Sequence, residues 1–367
     1  MAIDFVFHIG PIKTGSTSIQ KFLEMEECES PALGYKRIPP QRFFELSSPE
    51  KRQESFLYFQ NLYRRKIKRK KSIQTIVLSH ECMYQAPENI PCLIETAKPF
   101  AKKIDFIAYA RKQSSHYRSH YSQFLYFDSR LQSAVRQQFE NNKLAISNFT
   151  GLEAFLSALV ISEFSIVKYG RRVEYQDWTR MIQIDQALRS KGHNLNLGVL
   201  PRRDQKLSLI EDFCARSGIN DLKGLSPAKD VRVHEALPEI AVELLYQAFQ
   251  GGLQIPAKKP EHLSCYRVFR KKEFRNDLLK IHDTRLINYL MNYIDCHYAD
   301  GNNKLCDHFD IPRAYFKPEK LLDRKSALQY IKDVDKRRKE NANERIQLKN
   351  QILCECARYF MLSEAEV

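Results

Sequence analysis

The chain has 367 residues, of which 43% are hydrophobic and 28% charged, so it can bury a sizeable core and is not a low-complexity or disordered chain. No apolar run reaches the length of a membrane-spanning helix, and the nine cysteines are scattered rather than spaced as a disulfide framework. The formal net charge of +15 favours an anionic partner: nucleic acid, a membrane surface or anionic small molecules.

The chain opens with an apolar run that predicts a strand over residues 4–9, followed by a glycine-bearing loop and a helical pattern. Gly10 and Gly15 have the spacing of a Walker A loop, in which a lysine follows the second glycine. Ser16 occupies that lysine position, and the lysine of this loop is Lys13. A strand, such a loop and a helix N-terminus predict a site for a phosphate-like group, in an arrangement different from that of an ATPase.

Beyond this turn, strand and helix patterns alternate, which predicts a central parallel sheet with right-handed crossovers, flanked by helices. The predicted segments are helix 16–25, an irregular stretch 28–50, helix 54–68, strand 72–79, helix 90–101, strand 104–111, helix 114–127, helix 178–190, strand 194–200, helix 205–217 and helix 237–250. Sites in such sheets lie at the carboxyl ends of the strands. Lys13, His80, Glu81 and Arg111 all fall at predicted strand ends, which indicates one shared cleft.

A second motif follows the strand predicted over residues 104–111. Arg111 ends that strand, and Ser119 lies eight residues later within the next predicted helix. A guanidinium binds a phosphate through two hydrogen bonds, and a serine hydroxyl can add a third. Taken singly, Arg111 is typical of a solvated strand end and Ser119 of a helix surface. The phosphate-type loop upstream favours a joint phosphate site.

These two motifs resemble the donor-binding elements of sulfotransferases, enzymes that use 3′-phosphoadenosine 5′-phosphosulfate (PAPS). In the family, an arginine at a strand end and a serine eight residues later hold the 3′-phosphate, and Arg111 and Ser119 match that spacing. The resemblance implies a P-loop-like three-layer sandwich. The sequence K-T-G-S-T is similar to the family's 5′-phosphosulfate loop, which would comprise Lys13, Thr14, Gly15, Ser16, Thr17 and Ser18.

Weaker similarity to bacterial carbohydrate-type sulfotransferases continues along the chain. Tyr175 and Trp178 resemble a Tyr-then-Trp stretch of those proteins, and residues 200–207 and 298–305 resemble two of their later segments. The resemblance therefore predicts a sulfotransferase-like α/β domain over residues 1–312.

Residues 313–367 differ in character and are predicted to form a charged, helical C-terminal extension. One explanation is a helical hairpin packed on the domain, and the alternative is a helix that forms a homodimer or binds a partner. The apolar positions behind both interpretations are Leu321, Leu328, Ile331, Val334, Ile346, Leu348 and Ile352.

The resemblance implies transfer of the sulfuryl group from PAPS to a hydroxyl or amine of an acceptor, with a carbohydrate or glycoconjugate expected. The product would be adenosine 3′,5′-bisphosphate, and no metal is required. Lys13 would neutralise the leaving phosphate oxygen. Glu81 or His80 would accept the acceptor's proton, and adjacent residues on an extended chain face opposite ways, so one of them should reach the cleft. Glu81 fits the S-x-E pattern of bacterial members, whereas the ordinary pKa of histidine, about 6.5, suits neutral pH.

Two other classes stay open: a P-loop-like kinase that uses ATP, and a non-enzymatic basic binding protein. The displaced Lys13 argues against the kinase, and the presence of Lys13, Arg111 and Ser119 argues against a degenerate binding protein. The basic run 64–71 is typical of a solvated helix end, and an acceptor-binding or membrane-surface patch is the next interpretation. No zinc-finger, RNP or basic-zipper pattern supports specific nucleic-acid binding.

The sequence also predicts a setting for the protein. Scattered cysteines and a first strand without a preceding basic segment predict a cytoplasmic, bacterial-type protein that has no signal peptide. Peripheral contact with a membrane is compatible with the basic charge. The pairs Cys296-His297 and Cys306-x-His308 do not have the spacing of a standard zinc site, and we expect no metal there.

Overall fold

The computed structural model describes residues 3–11, 14–30, 32–38, 48–69, 72–80, 84, 87–122, 125–169, 177–200, 208–219, 239–250 and 284–341. The chain divides into two compact units. The first takes up Met1–Lys112, Asp177–His234 and Asp300–Phe316, and the second Gln113–Gln176, Glu235–Ala299 and Lys317–Val367. Among the helices in the described ranges, none combines the length and the apolarity that crossing a membrane requires.

The first unit is built on a five-stranded, all-parallel sheet, which confirms the predicted α/β class. The strands are β1 (Ile3–Ile9), β2 (Leu33–Arg37), β3 (Thr75–His80), β4 (Ala101–Ala110) and β5 (Leu195–Val199). Their order is β2-β3-β1-β4-β5, so β1 lies at the centre, paired with β3 on one side and with β4 on the other.

The helices of both units follow in chain order. They are α1 (Ser16–Glu29), α2 (Arg52–Arg69), α3 (Ile90–Ala97), α4 (Gln113–Tyr121), α5 (Ser129–Asn141), α6 (Gly151–Ile161), α7 (Thr179–Arg189), α8 (Leu209–Ser217), α9 (Glu239–Gln250), α10 (Arg285–His297), α11 (Ala299–Phe309) and α12 (Arg324–Glu340). Short 3-10 turns lie at Pro49–Lys51, Pro87–Asn89, Lys98–Phe100, Leu125–Phe127, Ile146–Asn148, Ser165–Tyr169 and Arg313–Tyr315. Each helix predicted from the sequence has a counterpart here, with shifted ends.

The two faces of the sheet bury alternate residues of β1. Phe5 and Phe7 lie on one face, where their rings pack edge-on against Phe59 of α2, and helices α3, α7 and α11 contribute to the same core. Val6 lies on the opposite face and belongs to a core shared with Ile19 of α1 and with α8. Strands buried on both faces read as continuous apolar runs, which is why β1 is visible in the sequence.

Strand β2 departs from the predicted elements, because the sequence analysis expects an irregular stretch over residues 28–50. Helix α1 continues to Glu29, and β2 pairs with β3 at the edge of the sheet. With Gly34 inside it and with Lys36 and Arg37 exposed, this five-residue strand lacks a strand-like apolar pattern. Its hydrogen bonds to β3 stabilise it instead, and such pairing is not visible locally.

In its described residues the second unit is helical, and three of its helices, α5, α6 and α10, were not predicted. All residues of α6 are buried, so this helix has no amphipathic period from which a sequence reading would recognise it. Its start does carry a local signal, a capping box in which Thr150 Oγ1 accepts from the Glu153 N–H and Glu153 accepts from the Thr150 N–H.

Helix α12 contains three of the apolar positions of the predicted C-terminal extension, Leu328, Ile331 and Val334, whereas Leu321 precedes the helix and is exposed. Ala327, Ile331 and Val334 are buried in the core of the second unit, beside α6 and α10. This packing favours the interpretation in which the extension packs on its own chain, as far as Glu340. The later apolar positions, from Ile346 onward, lie outside the described residues.

Candidate functional site

The candidate site lies at the carboxyl ends of three neighbouring strands, β3, β1 and β4. Strand β1 runs into Gly10, β3 ends at His80, and β4 ends directly before Arg111. The chain leaves β1 toward one edge of the sheet and leaves β4 toward the other edge. Ligand sites in open parallel sheets form where neighbouring connections diverge in this way. The crevice between β1 and β4 is therefore the natural binding position in the first unit.

The turn that follows β1 is closed by a hydrogen bond and a left-handed glycine. The Thr14 hydroxyl is buried and donates to the Pro11 carbonyl over 2.7 Å. Gly15 has φ +88° and lies at the N-cap position of α1, a conformation that other residues adopt only with strain. A Cβ at Gly15 would also overlap the Leu209 side chain of α8. Both backbone angle and packing therefore require a glycine here.

Helix α1 begins without a side-chain cap. The first intrahelical bonds run from the Ser18 and Ile19 N–H groups to the Gly15 carbonyl, so the preceding amides have no acceptor within the helix. No acidic residue lies in its first turn. Helices α5, α6, α8 and α12 each begin with a side chain that accepts from these amides, whereas α3 and α10 share with α1 the lack of a side-chain cap. An uncapped helix N-terminus carries partial positive charge and donors suited to an anion.

Ser16 adds a buried hydroxyl to this N-terminus. Only 3% of the residue is exposed, and its Oγ has no hydrogen-bond partner among the residues that the structure describes. A buried hydroxyl without a partner costs about 1–3 kcal/mol. Thr17 is exposed and Ser18 is half-buried, so the hydroxyl groups of this turn differ in access to solvent. The Ser16 hydroxyl is the one whose environment calls for an additional acceptor.

The side chains of the three predicted catalytic residues are not described. Lys13 and Glu81 lie outside the described residues, and His80 is described only as the last residue of β3. Their roles stay predictions.

Arg111 is tied to the fold through its backbone. The Arg111 carbonyl accepts a hydrogen bond of 2.7 Å from the Trp178 indole N–H. Trp178 is itself buried and packs edge-on against the Tyr84 ring, and the Tyr84 hydroxyl donates to the Asp177 carbonyl over 3.0 Å. These contacts fix the backbone from which the partly exposed Arg111 side chain extends. They give Trp178, which the sequence marked only by a weak resemblance, a structural role; Tyr175 lies outside the described residues.

Ser119 belongs to the second unit, whereas Arg111 belongs to the first. Ser119 is half-buried on α4. The start of α4 is held by Asp295 of α10, whose Oδ1 accepts from the Ser114 N–H over 3.2 Å. The joint role of Arg111 and Ser119 stays a prediction.

A buried polar cluster that the sequence analysis missed lies behind the start of α1. We call His8, Gln20 and Ser79 the strand-end triad. Gln20 Nε2 donates to Ser79 Oγ over 3.0 Å, and His8 Nδ1 lies 2.9 Å from the same oxygen. Burial lowers the pKa of His8 from 6.5 to about 4, so its imidazole is neutral at neutral pH. The sequence does contain a signal for two members of the triad: His8 and Ser79 are polar residues one position before the ends of the apolar strands β1 and β3.

A second missed network joins α8 to the sheet. The Tyr109 hydroxyl donates to Asp212 Oδ2 over 2.9 Å, and Arg216 donates to both Asp212 and Asn196 over 2.7 Å. Burial and the Asp212 carboxylate raise the pKa of Tyr109, which therefore stays a hydrogen-bond donor. Gly198 is required beside it, because a Cβ there would overlap the Tyr109 ring. The network has a structural role: it anchors α8, whose Leu209 packs over Gly15.

The cysteine and histidine pairs considered as metal ligands have other partners. His308 Nε2 lies 2.7 Å from the buried Asp185 carboxylate, and Cys296 Sγ lies 3.1 Å from the Lys320 carbonyl. Within the described ranges, no group of three or more His, Cys, Asp or Glu residues could hold a metal ion. Cys92, Cys214, Cys296 and Cys306 are not in disulfide bonds.

Comparisons with known proteins find no family model, no curated protein and no solved structure that matches this chain. The function must therefore be argued from the residues of the site and their geometry.

Proposed function

We propose that the protein is a PAPS-dependent sulfotransferase with a P-loop-like three-layer α/β fold. The observation that carries the proposal is the start of α1, where a left-handed glycine precedes uncapped amides and a buried Ser16 hydroxyl that has no partner among the described residues. These groups are donors for phosphate oxygens. Arg111 follows the neighbouring strand and supplies a guanidinium for a second phosphate. A single nucleotide that carries phosphates at its 5′ and 3′ positions accounts for both features.

We assign each end of this donor to a separate group of residues. The backbone N–H groups at the start of α1 and the hydroxyls beside them would hold the 5′-phosphosulfate, together with Lys13. Arg111 and Ser119 would hold the 3′-phosphate. The residues in this first group are Thr14, Gly15, Ser16, Thr17 and Ser18.

PAPS supplies an activated sulfuryl group, and the protein would contribute orientation, charge neutralisation and a base. An acceptor oxygen or nitrogen forms a bond to sulfur while the bond between sulfur and the phosphate oxygen breaks. Lys13 and the α1 amides would stabilise the negative charge on the leaving phosphate oxygen. The acceptor's proton passes to the base, and adenosine 3′,5′-bisphosphate is released.

The base would be His80, the last residue of β3, or Glu81, which follows it in the sequence. Comparing Glu81→Gln with His80→Gln in single-turnover transfer distinguishes them. The variant that abolishes transfer while keeping affinity for adenosine 3′,5′-bisphosphate identifies the base. If both variants transfer at the wild-type rate, neither residue is the base.

We propose a carbohydrate or glycoconjugate as the acceptor and the cytoplasm as the setting. The net charge of +15 suits an anionic donor and an anionic acceptor, because a basic protein raises their local concentration. A panel of glycans incubated with PAPS and analysed for a gain of sulfate would identify the acceptor.

The first test is calorimetric titration of the full chain with adenosine 3′,5′-bisphosphate, and with ATP plus Mg²⁺ in parallel. We expect binding of the bisphosphate and none of ATP. Binding of ATP alone would replace the proposal with a kinase. Binding of neither nucleotide, together with salt-sensitive binding of RNA or DNA, would replace it with a basic binding protein.

Lys13→Ala tests the chemistry directly. Loss of a group that stabilises developing charge should lower sulfuryl transfer by about 100- to 1,000-fold, by analogy with the loss of one oxyanion donor. Lys21→Ala, which removes an exposed lysine from α1, is the matched control and should transfer at the wild-type rate. Near-normal transfer by Lys13→Ala would contradict the assignment.

A further inference from the structure

The strand-end triad places polar groups where the same two strands otherwise bury apolar ones. His8 and Ser79 are paired across β1 and β3, and the pair two residues earlier on the same face is Val6 and Val77. Val6 and Val77 are fully buried against α1. Valine therefore suffices for packing α1 on this face of the sheet. Packing alone does not require a histidine and a serine at the last pair on that face.

One arrangement of the hydrogen bonds at Ser79 uses the hydroxyl both as an acceptor and as a donor. The Ser79 hydroxyl has a single proton and accepts from Gln20 Nε2, so its proton is available for His8 Nδ1. This arrangement assigns the imidazole proton to His8 Nε2. Ser79 is thereby held from two sides, by helix α1 and by strand β1. Residue Ser79 itself is completely buried.

The triad continues toward the proposed donor site along α1. Gln20 and Ser16 are four residues apart and so share one face of the helix. Gln20 Oε1 is buried and, like Ser16 Oγ, lacks a hydrogen-bond partner among the described residues. On the other side, Ser79 directly precedes His80 and Glu81, the two candidate bases. The triad therefore joins the helix that would hold the leaving phosphate to the strand end that would carry the base.

We infer that Ser79 is a positioning residue for sulfuryl transfer, which it serves by fixing the end of β3 relative to the start of α1; this inference rests on the proposed function. In-line transfer requires the base, the acceptor and the sulfuryl group to be aligned. A displacement of about 1 Å between such groups lowers a rate by about 100-fold. Binding of the nucleotide depends on α1 and Arg111 and does not require this alignment.

The test uses the full chain with two probes, adenosine 3′,5′-bisphosphate for binding and PAPS for turnover. Transfer of the sulfuryl group to water forms a sulfur–oxygen bond, breaks the bond to the phosphate oxygen and releases sulfate, while the proton of water passes to the base. We expect Ser79→Ala to lower the rate constant of sulfate release at saturating PAPS by about 10- to 100-fold. Affinity for the bisphosphate should change less than about threefold, because the α1 amides are retained.

Three further variants separate positioning from stability. Ser79→Thr keeps the hydroxyl and should restore the rate to within about threefold of wild type. Gln20→Met removes the donor of the same hydrogen bond and should lower the rate by a similar factor. It replaces Ser79→Ala as the test if that variant does not fold. Ser55→Ala is the matched control: Ser55 is equally buried, its hydroxyl donates to the Lys51 carbonyl, and its loss should leave the rate unchanged.

The outcomes distinguish this inference from the proposed function. If Ser79→Ala and Gln20→Met release sulfate at the wild-type rate, the inference is wrong and the proposed function stands. If Ser79→Ala loses bisphosphate affinity as well as rate and Ser79→Thr does not restore either, the residue is merely structural and the inference is again wrong. If the wild-type protein neither binds the bisphosphate nor releases sulfate, the proposed function is wrong, and the inference that rests on it is wrong as well.

Discussion

Two regions of the molecule bury polar side chains in opposite ways. The start of α1 and the strand-end triad, in the first unit, leave Ser16 Oγ and Gln20 Oε1 without partners among the described residues. The second unit contains a cluster in which the charged groups pair with one another. We call it the Arg338 cluster, and its members are Asn148, Glu153, Asp335 and Arg338.

The Arg338 cluster pairs its charges through direct hydrogen bonds. Arg338 binds both oxygens of Glu153 over 2.7 and 2.8 Å and also donates to the Asn148 carbonyl. Asp335 accepts from Asn148 Nδ2 over 2.7 Å and forms an ion pair with Lys339. A buried network that satisfies its own members stabilises one packing of the helices.

The difference between the two regions is whether the hydrogen bonds of the buried polar groups are completed within the described fold. A closed network such as the Arg338 cluster needs nothing further, so its removal should cost stability alone. Unpartnered groups at the start of an uncapped helix cost free energy that an anionic ligand would recover.

The largest expected effect is on the closed network. Arg338→Met leaves the Glu153 carboxylate buried without its partner and should lower the free energy of unfolding by about 3–5 kcal/mol. The double variant with Glu153→Gln removes both charges and should recover most of this loss. Urea unfolding measures both variants, and affinity for adenosine 3′,5′-bisphosphate should stay at the wild-type value. Weakened affinity in a folded Arg338→Met protein would show that the Arg338 cluster does more than stabilise the fold.

The second effect is a dependence of stability on pH that comes from His8. Burial holds the pKa of His8 in the folded protein near 4, below its unfolded value of 6.5. The unfolded chain therefore binds the extra proton first. Stability from neutral His8 is fully present above pH 6.5 and is lost as pH falls toward 4, by about 3 kcal/mol. Urea unfolding across this range should show a shallower decline for His8→Gln; equal declines would contradict the prediction.

Arg111→Ala should give the next largest effect, on ligand affinity alone. Loss of one charge-assisted contact is worth about 1.5–3 kcal/mol, so affinity for adenosine 3′,5′-bisphosphate should fall by about 10- to 100-fold. The fold should be kept, because the Trp178 indole binds the backbone carbonyl of Arg111, which the substitution retains. Lys102→Ala, at the exposed start of the same strand, is the control. Unchanged affinity in titration would mean that the 3′-phosphate is held elsewhere.

Ser16→Ala should give the smallest effect, with opposite signs for stability and binding. Removing a buried hydroxyl that has no partner among the described residues should leave the free energy of unfolding unchanged or raise it by about 1 kcal/mol. Affinity for the bisphosphate should fall by several-fold. Ser55→Ala, which removes a hydroxyl that has a partner, should instead destabilise the protein. A destabilised Ser16→Ala protein with unchanged affinity would show that Ser16 is an ordinary structural residue.

The sheet could be predicted in large part from the sequence, and the reasons are local. Strand β1 was predicted over residues 4–9 and is observed at Ile3–Ile9, because strands buried on both faces are continuous apolar runs. Strand β2 and helix α6 were missed for opposite reasons. The first is too polar to show a strand pattern, and the second is too apolar to show a helical one.

The features of the candidate site likewise fall into local ones, which the sequence can predict, and contacts between distant residues, which it cannot. The glycine positions and the polar residues after each strand are local features, so the uncapped start of α1 and the position of Arg111 could be anticipated. The triad could not, because the hydrogen bond between His8 and Ser79 joins residues 71 positions apart. It forms only because β3 pairs directly with β1 in register.

The α/β class, most of the strands and helices, and a glycine-bearing turn after β1 could be predicted from the sequence alone. These depend on short-range apolar periodicity and on backbone preferences such as that of Gly15, which each segment carries within itself. The tertiary structure alone decided the strand order, the placement of Trp178 beneath Arg111, and which buried polar groups find partners. Those outcomes depend on which distant segments become neighbours, and hydrogen bonds between them cannot be assigned until the order of the strands is known.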